Sequence, residues 1–236
     1  MTVLSIIQNV LDETGLFDTP TTVVANSDKQ VARALRLLTK AGDLLVSEKD
    51  WNVLQTEQEL TLIASQAEYD LTSSAVITDE DFDRFIEDTD WDRSNYRKMR
   101  QVSASEWQYL KSSVAASAQL EKSIRRRGND LVFDPTPDTT DTIVFEYISN
   151  KWIRSSGGAK QSSFLADTDT TVFPEPLMEA ALKWRLQDSF GQKSAVALEE
   201  YNQLLARYSA GDTPARTLVA GQPRVPYNIQ DTDFNL

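Results

Sequence analysis

Eight carboxylates crowd the fourteen positions from Asp79 to Asp92 within the stretch "ITDEDFDRFIEDTDWDR", and Arg84 is the only cation among them. Carboxylates at this density could ligate calcium, or could hold paired divalent ions for hydrolysis. Asp79, Asp81 and Asp83 do fit the first, third and fifth ligand positions of a calcium loop. The position that requires glycine is Arg84, however, and the last ligand is Asp90 in place of a bidentate Glu. A two-metal site needs carboxylates converging from separate elements, whereas these are consecutive. The pattern predicts a solvated acidic loop pinned by Phe82, Phe85, Ile86 and Trp91. Its Asp79, Asp81, Asp83, Asp88 and Asp90 would face a neighbouring subunit or a docking partner, and a carboxylate-metal nuclease or glycosidase stands as the rival reading.

Other candidates are few. Arg125, Arg126 and Arg127 precede a Gly-Asn turn, where they could meet DNA, an acidic neighbouring subunit or only solvent. The segment "DTDTT" at 167–171 has the form of a metal-binding DxD motif, but it lies in a polar stretch before a helix and reads as a turn and capping segment. The chain has no histidine and no cysteine, which removes imidazole and thiolate nucleophiles, sulfur-based zinc sites and disulfides. No GxxxxGK[ST], GxSxG, GxGxxG or HExxH motif occurs. No metal or other cofactor is expected.

These residues need elements to place them. At 236 residues, 40% hydrophobic and with five tryptophans, the chain can bury a sizeable core. Its formal net charge of −12 disfavours stable wrapping of nucleic acid, which needs clustered Lys and Arg, but suits a surface that DNA slides past. The N-terminus lacks a basic leader, and no apolar run approaches a membrane span, so a soluble chain made in the cytoplasm is expected.

Val3, Ile6, Ile7, Val10 and Leu11 fall at helical spacing before Gly15. Ser27 or Asp28 can cap a longer helix with the stripe Val31, Leu35, Leu38, Ala41 and Leu45. From Trp51 the pattern turns to strands: "LQTEQELTLI", "AEYDL", "YRKMRQV", a hairpin across Gly128-Asn129, and "DTIVFEYIS". Ser103 and Glu106 form a capping box for a short helix carrying Trp107 and Leu110. After a flexible stretch from Arg154 to Thr171, Pro176 opens a largely buried helix, and a last helix ends at Gly211. Residues 211–236 show no periodicity, yet they include Leu218, Val219, Val225, Tyr227, Ile229 and Phe234. They read as an extended arm that orders on a partner.

The expected fold class is α+β: an antiparallel helical body (1–50 and 154–210), an inserted antiparallel β domain (51–153) and a C-terminal arm (211–236). This order, with Trp51 at the helix-to-strand switch in "SEKDWNVLQTEQELTL", then "FEYISNKWI" and "FLADTDTTVFPEPLMEAALKWR", resembles the head-to-tail adaptors of tailed bacteriophages. That group includes the tail tubular protein A of short-tailed phages and related head-completion connectors. The resemblance covers essentially the whole chain and implies a non-enzymatic virion protein located in the neck. Such adaptors form a ring, typically of twelve copies, beneath the portal protein after packaging, extend the DNA channel and offer a docking surface to the tail or nozzle. The resemblance implies that the C-terminal arm inserts against the portal, which here would use Pro214, Arg216, Leu218, Val219, Pro223, Arg224, Pro226, Tyr227 and Phe234. DNA would pass without specific binding, and no membrane is involved. A stopper or tail terminator is the other virion reading.

Overall fold

The computed structural model describes residues 1–77, 79–112 and 122–212, and its class is α+β. Helix α1 (Val3–Thr14) is capped by the Thr2 side chain, which accepts from the Ser5 amide. It stops at Gly15, whose φ of 59° is the left-handed conformation that glycine adopts at little cost. Helix α2 (Lys29–Glu48) starts at Asp28, whose side chain accepts from the Gln30 amide at 2.8 Å. Helices α4 (Glu175–Ser189) and α5 (Ala195–Asp212) complete the helical part. Pro176 is the second residue of α4, one position later than expected, because Glu175 already lies in the helix.

Apolar faces of α1, α2 and α4 share one core with Trp51, Ile148, Trp152, Phe173 and Tyr201. Trp152 is fully buried, and its indole lies against α2 at Gly42. A Cβ at that position would stand 2.2 Å from Trp152 Cζ2. The indole N–H donates to Asp43 Oδ1 at 2.9 Å, and Phe164 meets the ring edge-on at 5.5 Å.

Strand β9 (Thr142–Ser149) organises the sheets. One edge pairs with β1 (Gln55–Thr61), from Gln55 with Ile148 to Thr61 with Thr142. The other edge is shared by β3 (Phe82–Phe85) and β4 (Trp91–Asp92), and β5 (Arg97–Lys98) pairs with β4. A second sheet runs β2 (Glu68–Asp70), β8 (Asp130–Asp134), β7 (Ser123–Arg127), β6 (Arg100–Gln101). Pairing is antiparallel everywhere among the described strands except between β6 and β7. The two-residue alternation of β9 sends Ile143, Phe145 and Tyr147 into the core between these sheets, with Leu131 and Phe133 of β8 facing them. On the opposite face of β8, Val132 receives Trp107 and Leu110 of α3 (Ala104–Ser112). The Glu106 amide donates to Ser103 Oγ at 3.3 Å and the Ser103 amide to Glu106 Oε2 at 3.4 Å, as a capping box requires.

The stretch from 154 to 171 is built, not flexible. It carries β10 (Ile153–Arg154), β11 (Lys160–Gln161) and β12 (Thr170–Thr171) in a three-stranded sheet. Dipeptide strands are too short to show a period, so composition alone suggested a linker.

Candidate functional site

The acidic segment is not a solvated loop. Two strands pass through it, and three of its carboxylates are buried: Asp81 at 0% exposure, Asp90 at 2% and Asp92 at 4%. Phe82 and Phe85 stack on each other and on Tyr147 and Phe145 of β9, which draws the neighbouring backbone inward. Trp91 was expected to pin the loop but stays half exposed.

Asp81 accepts from Tyr147 Oη at 2.5 Å, Ser149 Oγ at 2.5 Å and Lys160 Nζ at 2.9 Å. Its backbone carbonyl takes the Asn150 amide at 2.8 Å. Burial pushes this carboxyl up, but the bonds from Ser149, Tyr147 and Lys160 together outweigh it and hold Asp81 below the ordinary carboxylate range. The Tyr147 hydroxyl is driven up, first by burial and then by its bond to Asp81, so it remains a protonated donor. Asp92 accepts from the Asn95 amide and side chain, and Lys122 lies 3.4 Å away. Asp90 has only the Gln101 side chain on Oδ2, and Oδ1 has no partner among the described residues. Burial accordingly raises its pKa.

The outer members behave differently. Asp79 and Asp88 pair with Lys160 and Lys98 at 3.3 and 2.9 Å, and Asp83 pairs with Arg84. Arg84 occupies the position where a calcium loop needs glycine, and it reaches across to helix α2. Its guanidinium donates to Val46 O at 3.0 Å, Lys49 O at 2.9 Å and Asp50 Oδ1 at 2.7 Å. Carbonyls at a helix C-terminus have no partner within the helix, and a planar fork of donors suits them. Among the described residues no three carboxylates converge as a metal would require. The group nearest to such a site, around Asp81, is filled by the ammonium of Lys160.

The arginine hairpin also turns inward. Arg126 lies over the rings of Phe82 at 5.1 Å and Phe85 at 6.0 Å, so the acidic segment and the hairpin meet within one chain. Arg127 pairs with Glu68 at 2.9 Å and with Asp130 at 3.9 Å, both in the open where such pairs stabilise little. Arg125 lines a cavity with Arg84, Glu87, Asp90 and Gln101. In "DTDTT" Asp169 does turn chemistry, whereas Asp167 makes a long-range tie. Asp167 Oδ1 accepts the amides of Val23 and Val24 at 3.0 and 2.7 Å, and the buried Asp169 accepts those of Leu165 and Ala166.

Gly211 and Asp212, assigned from sequence to the arm, belong to α5. The remaining arm residues, Pro214 to Phe234, lie outside the described residues. No described helix is long and apolar enough to cross a membrane. Sequence reasoning missed Lys160, Tyr147 and Gly42. Tyr147 and Lys160 stand far along the chain from Asp81, and only the paired strands bring them there.

Residues 1–221 match the family model described as SU10 adaptor protein. No curated protein matches the chain.

Proposed function

The chain belongs to the SU10 adaptor protein family, a family of phage structural adaptors, and from that membership we propose that it is a ring-forming head-to-tail adaptor. Copies would assemble beneath the portal protein after DNA packaging, extend the channel and present the surface on which the tail docks. The observation that carries this reading is the family match, which runs through both the helices and the sheets.

Physical chemistry supports it. A net charge of −12 keeps a channel wall from binding phosphates that must pass it. Asp81, Asp92, Asp90 and Asp83 of the acidic segment are engaged by internal bonds to Lys160, Lys122, Gln101 and Arg84, which supports a structural role for them. The exposed Asp88 and the hairpin Arg125 to Arg127 are charged groups available for copy-to-copy or tail contacts.

The test is to mix the protein with purified portal rings and image the product, using the full chain and a chain ending at Asp212. Rings of adaptor stacked on the portal with the full chain, and none with the truncation, are expected. Failure of the full chain to join the portal, or particles in which it lies farther down the tail, would replace this reading with a stopper or tail terminator.

A further inference from the structure

The end of α5 opens directly onto an apolar groove of about 410 Å³, within the roughly 300–1,000 Å³ range of clefts that enclose a ligand. Val53, Val172, Phe173, Pro174 and Tyr208 line it beside Arg207, and Val53 is 47% exposed. Trp51 also lines it and meets Phe173 edge-on at 5.5 Å. The last residues of the helix are tied to the rim. Lys49 donates to the Ser209 carbonyl and lies 3.8 Å from Asp212, and the Asn52 amide donates to Asp212 Oδ2 at 2.9 Å.

We propose that this groove is the seat of the chain's own segment just beyond Asp212, with Leu218 and Val219 as the side chains that fill it. Pro214 has no amide to carry the helix onward. From Asp212 to Leu218 there are six residues, an extended reach of about 20 Å, enough to turn back across a groove that Asp212 itself borders. The family match continues to residue 221, nine residues past the helix, so this short segment is part of the sequence the family model spans. A segment tethered so closely acts at an effective concentration in the millimolar range, which favours the same chain over a second copy. Portal contact is then left to residues 222–236. The inference does not depend on portal binding, since docking within an isolated chain can be measured alone.

Hydrogen exchange on the full chain tests it. The amides of Thr217, Leu218 and Val219 should exchange about tenfold or more slowly than in a free peptide of residues 213–236. Val53→Asp and Tyr208→Ala should return them to the peptide rate with the helical circular dichroism unchanged. Peptide-like exchange in the full chain, or protection that survives both variants, would overturn the proposal. Protection that grows with protein concentration would overturn it too, by assigning the groove to a second copy.

Discussion

Replacing Gly42 by alanine sets two effects against each other. In the interior of α2, glycine is worse than alanine by about 1 kcal/mol, so propensity alone predicts that Gly42→Ala stabilises the protein. The new Cβ, however, would stand 2.2 Å from Cζ2 and 2.3 Å from Cη2 of Trp152, more than an ångström inside ordinary carbon contact, roughly 3.5 Å. The indole has little freedom to yield. It is fully buried, its N–H is fixed on Asp43, and Phe164 and Phe173 stand 5.5 and 6.0 Å away.

Overpacking of this kind costs typically 1–3 kcal/mol, and expelling the ring altogether would approach the roughly 3–5 kcal/mol of a Trp→Ala truncation. With the propensity gain subtracted, Gly42→Ala should destabilise by about 2 kcal/mol, a drop in Tm of about 4–8 °C for a chain of this size. Urea unfolding gives the free energy, and a cycle with Trp152→Ala isolates the cause. In the Trp152→Ala background, Gly42→Ala should become neutral or stabilising. A Gly42→Ala protein at least as stable as the parent, or one equally destabilised with and without the indole, would refute the packing argument.

The two buried aspartates should respond oppositely to loss of charge. Asp81→Asn leaves Lys160 only the half-exposed Asp79 as an anion and should cost about 2–3 kcal/mol, whereas Asp90→Asn keeps the Gln101 contact, removes a poorly paired buried charge, and should fall within about 1 kcal/mol of the parent or be more stable. Because folding lowers the Asp81 carboxyl, its contribution is complete above the ordinary carboxylate value, roughly pH 4, and is lost as pH falls through the lower folded value. Folding raises Asp90, so its contribution is lost as pH rises through the raised value, and Asp90→Asn should flatten that part of the stability profile. Equal losses in both variants would contradict this assignment. Arg84→Lys keeps the charge but not the fork that holds Val46 O, Lys49 O and Asp50, and should cost about 1–3 kcal/mol. Denaturation of Arg84→Lys that matches the parent would show that those carbonyls do not depend on the guanidinium.

Much of the fold could be read from periodicity, because long elements repeat their pattern. Val3, Ile6, Ile7, Val10 and Leu11 did mark the buried face of α1, Ser103 and Glu106 did open α3, and the Gly128-Asn129 turn did join β7 to β8. The acidic segment was misjudged because local charge density says nothing about distant partners. Asp81 is buried only because β9 brings Tyr147 and Ser149, and β11 brings Lys160, to the same point. Gly42 was invisible for a related reason. A glycine within an apolar stripe reads as a weak helix position until the indole of a residue 110 positions later is seen lying on it.

These distant contacts share a destination. Trp152, just past β9, seats on Gly42 and Asp43, and Arg84 of β3 holds the carbonyls of Val46 and Lys49. Both anchors therefore grip the last two turns of one helix, α2, and each uses a group that has no flexible substitute: a rigid indole and a planar fork. An adaptor that joins a partner at one end to a partner at the other needs its sheets held at a fixed angle to its helices. Two anchors on one helix resist rotation where a single one would act as a pivot. One member of the carboxylate cluster that first suggested metal chemistry, Asp83, serves this same end, since with Asp50 it flanks the Arg84 guanidinium.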